Sequence, residues 1–404
     1  MMRVLWLARN LPFPLVTGDK IYTAKMAEAL AAAGAQITFA GYPSAAPAEP
    51  VSGIAWHPVP GGPKNNWRAA LDPRPLVAAR HLTKRYRKHV GGLAASAWDA
   101  VVIDQYGMGW VLDQRRRFQT NPSFVFLTHD HEESVTALQA KDPGASSIKR
   151  AYLWQNHLKT RWFERWIARR CDLLTTITEA DAALFRQTAP DRPSIVLTPG
   201  YSGRKLSERT VSAETARAVV LFGSYRWSAK LANLTSFLEQ AAPALARSRI
   251  ELRIVGDIAD DVREALAARY PSVNFTGFVA DPGPYLDARL AILAEPIGGG
   301  FKLKLLDYVF NRLPVAALDV CAAGLPPEIS QHMMLFGDTA TLLRRVVAEI
   351  DDVQSLDRRQ RLAFTAAESA FDWADRGRSF LDALEATVRS RGFPSPAALE
   401  TAGA

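Results

Sequence analysis

At 404 residues the chain is too long for one ordinary domain and comfortable for two, and its 48% hydrophobic and 22% charged content supports large cores under a soluble surface. No run of 18 or more apolar residues occurs, which excludes a spanning helix, and two distant cysteines, Cys171 and Cys321, argue against a disulfide framework or structural zinc site and for a cytosolic setting. The net charge of +8 is lopsided: residues 1–200 hold 25 Lys and Arg against 16 Asp and Glu (net +9), and residues 201–404 hold 24 against 25 (net −1). A first half this basic points to an anionic partner: membrane headgroups, a phosphorylated acceptor or nucleic acid.

In chain order, Arg3–Ala8 reads as a buried strand rather than a signal-peptide core. The loop 10–19 follows, broken by Pro12, Pro14 and Gly18. A helix over Lys20–Ala33 is indicated by Ile21, Ala24, Ala27, Leu30 and Ala31 on one side, with Gly34 placed to end it. Gln36–Ala40 is the next strand, which completes a βαβ opening of a parallel, doubly wound sheet. Further strands are expected at Ala100–Asp104, Phe124–Leu127, Leu173–Thr176 and Ser194–Leu197, with a long helix at Ile148–Arg170. After a polar stretch at 203–217, a second set is expected at Val219–Phe222, Glu251–Val255, Val273–Phe275, Leu290–Ala294 and Val315–Ala317. This gives two α/β modules without a short internal repeat. Residues 391–404, rich in Pro, Ala and small polar residues, read as a flexible tail.

The most specific segment is Glu295-Pro296-Ile297-Gly298-Gly299-Gly300-Phe301-Lys302-Leu303-Lys304-Leu305-Leu306-Asp307, between a strand and a helix. Its glycines let the backbone approach a diphosphate, and the helix start offers free N–H groups and a positive dipole end. Lys302 or Lys304 adds charge, and Asp307 can accept bonds from ribose hydroxyls. Spacing alone leaves open which lysine points inward, and leaves open a plain glycine loop before an amphipathic helix.

The continuation through Asn311-Arg312-Leu313-Pro314-Val315-Ala316 resembles the donor-site signature of retaining GT-B glycosyltransferases, family 4 (group 1) and its relatives. Leu221–Asn233, with Gly223, Ser224 and Lys230, resembles the first strand and loop of that family's second domain. Leu252–Asp257 resembles its I-V-G strand, Val273–Val279 its V-x-F-x-G-x-V strand, and Phe371-Asp372-Trp373 its aromatic turn before a final helix. The resemblance covers nearly the whole chain in the family's order. It implies two Rossmann-like domains facing across a cleft: an acceptor-binding domain over 1–202, a nucleotide-sugar domain over 203–372, and a helix near 373–390 crossing back to the first. It also implies donor contacts from Gly223, Ser224, Lys230, Gly298, Gly299, Gly300, Phe301, Lys302, Lys304, Leu305 and Asp307. The chain departs from the pattern in having Gly299 where an acid is common, Ser224 where Arg is common, and Asp307 in place of Glu.

In the first domain, Gly18-Asp19 resembles the family's glycine loop after the first strand. Phe124–Leu127 runs into Thr128-His129-Asp130-His131-Glu132-Glu133, at the strand end where open sheets bind ligands. By resemblance His129 meets the sugar. Asp130 is a candidate carboxylate, a base in an inverting enzyme or part of a polar surround in a retaining one. Asp130 could instead cap the next helix ahead of Glu133. The Asp130-His131-Glu132 triplet imitates a metal motif, but no metal or other cofactor is expected, the donor being a substrate.

Arg80–Val90, Arg115–Arg117 and Ile148–Arg170 concentrate basic residues, the last interleaved with Trp154, Trp162, Phe163 and Trp166. This suits an anionic membrane surface, or equally a solvated face over core aromatics. No nucleic-acid recognition module is present. The expected protein is therefore a transferase of hexosyl or glucuronosyl units from a nucleoside-diphosphate sugar, more often UDP-linked in this family. Its acceptor is a saccharide or lipid-linked molecule, and its place the cytoplasm or the inner membrane face. The alternatives are a sugar-nucleotide epimerase on the same fold and a non-catalytic binding module with a decayed donor site.

Overall fold

The computed structural model describes residues 1–46, 50–141, 146–226, 228–279, 281–296 and 300–391. Gly298 and Gly299 of the glycine loop and the tail from 392 onward lie outside the described residues. The chain divides into two compact units, residues 1–200 with 372–404, and residues 201–371.

The first unit is built on a seven-stranded, fully parallel sheet of β1 (Arg3–Asn10), β2 (Gln36–Tyr42), β3 (Ile54–Pro58), β4 (Ala100–Asp104), β5 (Ser123–Leu127), β6 (Leu173–Thr176) and β7 (Ser194–Val196). Their order is β3-β2-β1-β4-β5-β6-β7. The second unit repeats the plan with six strands: β8 (Ala218–Phe222), β9 (Glu251–Val255), β10 (Val273–Gly277), β11 (Leu290–Leu293), β12 (Val315–Leu318) and β13 (Met334–Phe336), ordered β10-β9-β8-β11-β12-β13. Each unit is thus a Rossmann-like α/β domain. The central strands are apolar without alternation because helices cover both faces of a parallel sheet. Val4, Leu5, Trp6 and Leu7 are all fully buried, each worth about 1.5–3 kcal/mol of burial for its size.

Strands β3 and β13 escaped the sequence reading. Both lie at sheet edges; β3 is half-exposed and ends on a proline, and β13 has three residues, so neither carries the buried run of an inner strand.

The last helix, Trp373–Ser390, belongs to the first unit and packs on helix Gly18–Ala32. It buries Gly377, Phe380, Leu384 and Thr387, one face at helical spacing. Phe380 meets Trp6 edge-on at 6.2 Å. Gly377 is the point of closest approach, where a Cβ would stand 2.2 Å from the Ala29 carbonyl oxygen.

Candidate functional site

In each sheet the strand order reverses beside the first strand, between β1 and β4 and between β8 and β11. Open α/β sheets bind ligands in the crevice at the carboxyl ends of such strands. Both switch points carry polar groups, and in both a carboxylate closes the apolar run of the fourth strand: Asp104 at the end of β4 and Glu295 just after β11.

At the first switch point Arg9, Asn10, Asp19, Thr23, Asp104 and Gln105 line a small polar pocket. Gly18 is the first residue of its helix, and Asp19 sits in the first turn, 3.6 Å from Arg9. Burial opposes ionisation of Asp19. The Thr17 hydroxyl, Arg9 and the Lys20 amide lead the groups that hold the carboxyl below its usual range.

His129 is buried, and both ring nitrogens are engaged inside the domain. Nε2 lies 3.0 Å from Asp104 Oδ1, and Nδ1 lies 2.9 Å from the Gln105 side-chain amide nitrogen. Asp104 Oδ2 also accepts from Trp6 Nε1 and from the Thr23 hydroxyl, each at 2.9 Å. The edge of Tyr22 closes a further side at 5.1 Å, and the Tyr22 hydroxyl donates to the Leu197 carbonyl. The ring that resemblance assigns to a sugar is therefore committed to protein partners. Asp130, next along, is half-buried. It does not cap helix Glu132–Ala140. The buried Glu164 does, taking the Glu132 and Glu133 amides at 2.9 and 2.8 Å. Burial, with Asp130 adding to it, pushes the Glu132 carboxyl up to about 8 against the pull of Arg9.

The helix expected at Ile148–Arg170 spans Ser147–Ala168, with Ser146 accepting from the Lys149 amide at its start. Phe163 and Ile167 face the core, whereas Ile148, Trp154 and Trp162 are 86%, 58% and 58% exposed. Trp67 and Leu71 are exposed as well, and Lys159 bonds the carbonyls of Ala70 and Asp72, so the two segments lie side by side. Among the described residues no helix is long and apolar enough to cross a membrane.

At the second switch point Lys304 Nζ lies 2.6 Å from Glu295 Oε1 and 5.3 Å from the Tyr225 ring centre. Burial opposes ionisation of Glu295, but Lys304, Lys302 and Lys230 outweigh it and lower its pKa. Lys304 is in direct contact with Glu295, and the charges of Lys302 and Lys230 act on it as well. Lys230, Tyr225, Glu295 and Lys304 line one small pocket. Gly223 passes so close to Lys304 that a Cβ there would meet Nζ at 2.5 Å, and Gly256, at φ +135°, would bring a Cβ to 1.9 Å from the Gly223 carbonyl oxygen. Ser224 is half-buried on the same loop. Gly300 turns at φ +71°, Phe301 packs 5.9 Å from Phe371, and Lys302 occupies the N-cap of helix Leu303–Phe310. Leu305 is 1% exposed in the core, and its amide donates to the Lys302 carbonyl. Burial lifts Asp307 to about 6, against the pull of the Tyr201 hydroxyl and Lys304.

The sequence reading missed Glu295 as the partner of Lys304, and it missed Asp104, Gln105, Trp6 and Thr23 around His129. A carboxylate ending an otherwise apolar switch-point strand was the available signal for Asp104 and Glu295.

Residues 17–200 match the model of a glycosyl transferase 4-like domain, and residues 216–352 that of glycosyl transferases group 1. No curated protein matches the chain in sequence. Among solved structures, sucrose-phosphate synthase from Thermosynechococcus elongatus is similar at TM-score 0.66 and 16% identity, over 94% of this chain and 97% of that one. HepE of Anabaena, in complex with UDP and glucose, is similar at TM-score 0.63 and 16% identity, over 96% and 100%. WaaG, a glycosyltransferase involved in lipopolysaccharide biosynthesis, gives 0.56 and 18%, over 94% and 95%. At these identities the likeness is one of fold.

Proposed function

Because the chain belongs to the group 1 glycosyltransferases of the GT-B fold, we propose that it moves a hexosyl or glucuronosyl unit from a UDP-sugar to a saccharide or lipid-linked acceptor at a membrane surface. The observation that carries this reading is the pairing of Lys304 with Glu295 at the second switch point, with Lys230 lining the same small pocket. The positive charge of lysine side chains at this switch point suits a diphosphate and stabilises it as it leaves. Lysines carry that charge in this reading, and no metal ion is called for. The choice of UDP is supported by HepE, whose structures hold UDP and UDP-glucose. Asp307 is assigned to the ribose, and Asp130, on the loop after β5, to the acceptor hydroxyl.

The test is thermal stabilisation by UDP, GDP, ADP and their sugar conjugates. A ligand at about 100 times its Kd stabilises the folded state by roughly 2.7 kcal/mol. Stabilisation by uridine compounds selectively, followed by transfer in an acceptor panel, is the expected result. Donor turnover without transfer would favour an epimerase, and indifference to every nucleotide would favour a binding module.

Asp307 adds a pH signature. A carboxyl raised to about 6 stabilises the fold fully below its usual value near 3.8, and that contribution is lost as pH rises through about 6. Ribose binding needs the ionised form, so affinity for the donor should strengthen over the same rise. Asp307→Asn should weaken binding and flatten this dependence. The measurement uses a sugar nucleotide, because a free terminal phosphate itself titrates near 6.

The membrane part of the reading rests on the exposed Trp154, Trp162, Ile148, Trp67 and Leu71 among Lys149, Arg150 and Arg161. Aromatic rings seat at headgroup depth, and each nearby cation adds about 1 kcal/mol on an anionic surface. Co-sedimentation with vesicles containing anionic lipid should be strong, and weak with neutral ones. The double substitution Trp154→Ala and Trp162→Ala should reduce it about tenfold or more. Equal binding by the double variant would remove this surface from the proposal.

A further inference from the structure

Gln105, directly after β4, has φ 65° and ψ 159°, a backbone region that is essentially glycine's alone. A glycine there would relieve the strain. The backbone gives no reason for a side chain, since the bond from the Gln105 amide to the Leu127 carbonyl is open to any non-proline residue. The side chain gives one: its amide nitrogen, in a residue 8% exposed, lies 2.9 Å from His129 Nδ1. Opposite it, the Asp104 carboxylate lies 3.0 Å from Nε2.

We infer that Gln105 and Asp104 are positioning residues that hold His129 as a single neutral tautomer, and that the first domain gives up backbone stability at Gln105 to keep it so. A carboxylate only accepts, so Nε2 carries the hydrogen and donates it to Asp104. Nδ1 then has a lone pair, which the Gln105 amide N–H fills. Asp104 is itself fixed by Trp6 and Thr23, and Tyr22 stands against the ring. With both nitrogens committed, the ring anchors the segment Thr128–His131, which bears Asp130, and does not serve as a base. The assignment of tautomer and strain is independent of the reaction; only its kinetic consequence rests on the transferase reading.

The test compares Gln105→Gly, Gln105→Ala and Asp104→Asn in the full chain. With histidine labelled with 15N and the His129 signals identified by their absence in His129→Gln, the wild type should show the Nε2-protonated form alone at neutral pH. Asp104→Asn should show a mixture, whereas Gln105→Gly, which keeps Asp104, should keep the hydrogen on Nε2 but shift the Nδ1 resonance, whose lone pair has lost its donor. Gln105→Gly and Gln105→Ala both lose the bond to Nδ1, but only the glycine is freed of strain, so the first domain of Gln105→Gly should melt about 2–4 °C above that of Gln105→Ala. In transfer assays Gln105→Gly should lower kcat by about 10–100-fold with donor KM within about twofold. A Gln105→Gly spectrum identical to wild type, or a glycine variant no more stable than the alanine one, overturns the inference. If no variant, wild type included, transfers sugar, the transferase reading falls while the spectra and melting curves still decide this one.

Discussion

Lys304→Ala should weaken donor binding by roughly 10–100-fold, the worth of one charge-assisted contact to the diphosphate, and at the same time destabilise the second domain by about 3–5 kcal/mol. The second effect arises because the lysine and Glu295 are 15% and 10% exposed and lie 2.6 Å apart. Removing the lysine strands a carboxylate whose ionisation burial already opposes. The two effects separate with Glu295→Gln. That change leaves Lys304 in place, spares the domain a buried unpaired anion, and raises the net positive charge facing the phosphates. Glu295→Gln should therefore bind a UDP-sugar at least as tightly as wild type, while Glu295→Gln with Lys304→Met should regain most of the stability lost in Lys304→Ala but none of the affinity. Calorimetric titration and denaturant melts read both quantities. Full donor affinity in Lys304→Ala would remove this lysine from the proposed site.

Gly377→Leu should be as damaging without touching any polar group. A Cβ at this position would stand 2.2 Å from the Ala29 carbonyl oxygen and 2.5 Å from its carbon. Those are backbone atoms of the facing helix, so no rotamer change relieves the overlap. The gain in helix propensity from replacing glycine, at most about 1 kcal/mol, is smaller than the cost of prising two helices apart, about 3 kcal/mol or more. The melting temperature of the first domain should fall by roughly 6–12 °C. Gly377→Ala should be destabilising too, by less, and a stabilised alanine variant would show that the helices separate easily.

Much of this fold was legible in the residues because parallel strands covered on both faces are nearly continuous apolar runs. Arg3–Ala8, Ala100–Asp104 and Val315–Ala317 announce themselves, and the two family matches agree with the resemblance read from the glycine loop and its flanks. Strands Ile54–Pro58 and Met334–Phe336 did not, since an edge strand is half solvated or very short. The site was legible only where its residues are neighbours in sequence. Lys302, Lys304 and Asp307 share one segment. The groups holding His129 come from residues 6, 22, 23, 104 and 105, and local pattern cannot foretell which of many polar residues meet after folding. Glu295 was in view, inside the quoted segment, yet its role depends on Lys304 folding back nine residues later.

The return of helix Trp373–Ser390 to the first unit also sets a timetable. On the ribosome the strands of that unit are all made by residue 200, yet the helix that covers Ala29 and Trp6 is still unmade, with the whole of residues 201–371 to be translated first. At about 5–20 residues per second the gap lasts roughly 10–40 s. Through it the apolar flank of helix Gly18–Ala32 has no lid. The second domain, contiguous in sequence, can finish first. The usual order of domain folding is thereby reversed: the half that begins the chain is the last to be sealed, and its nascent form is the one that a chaperone would have to shield.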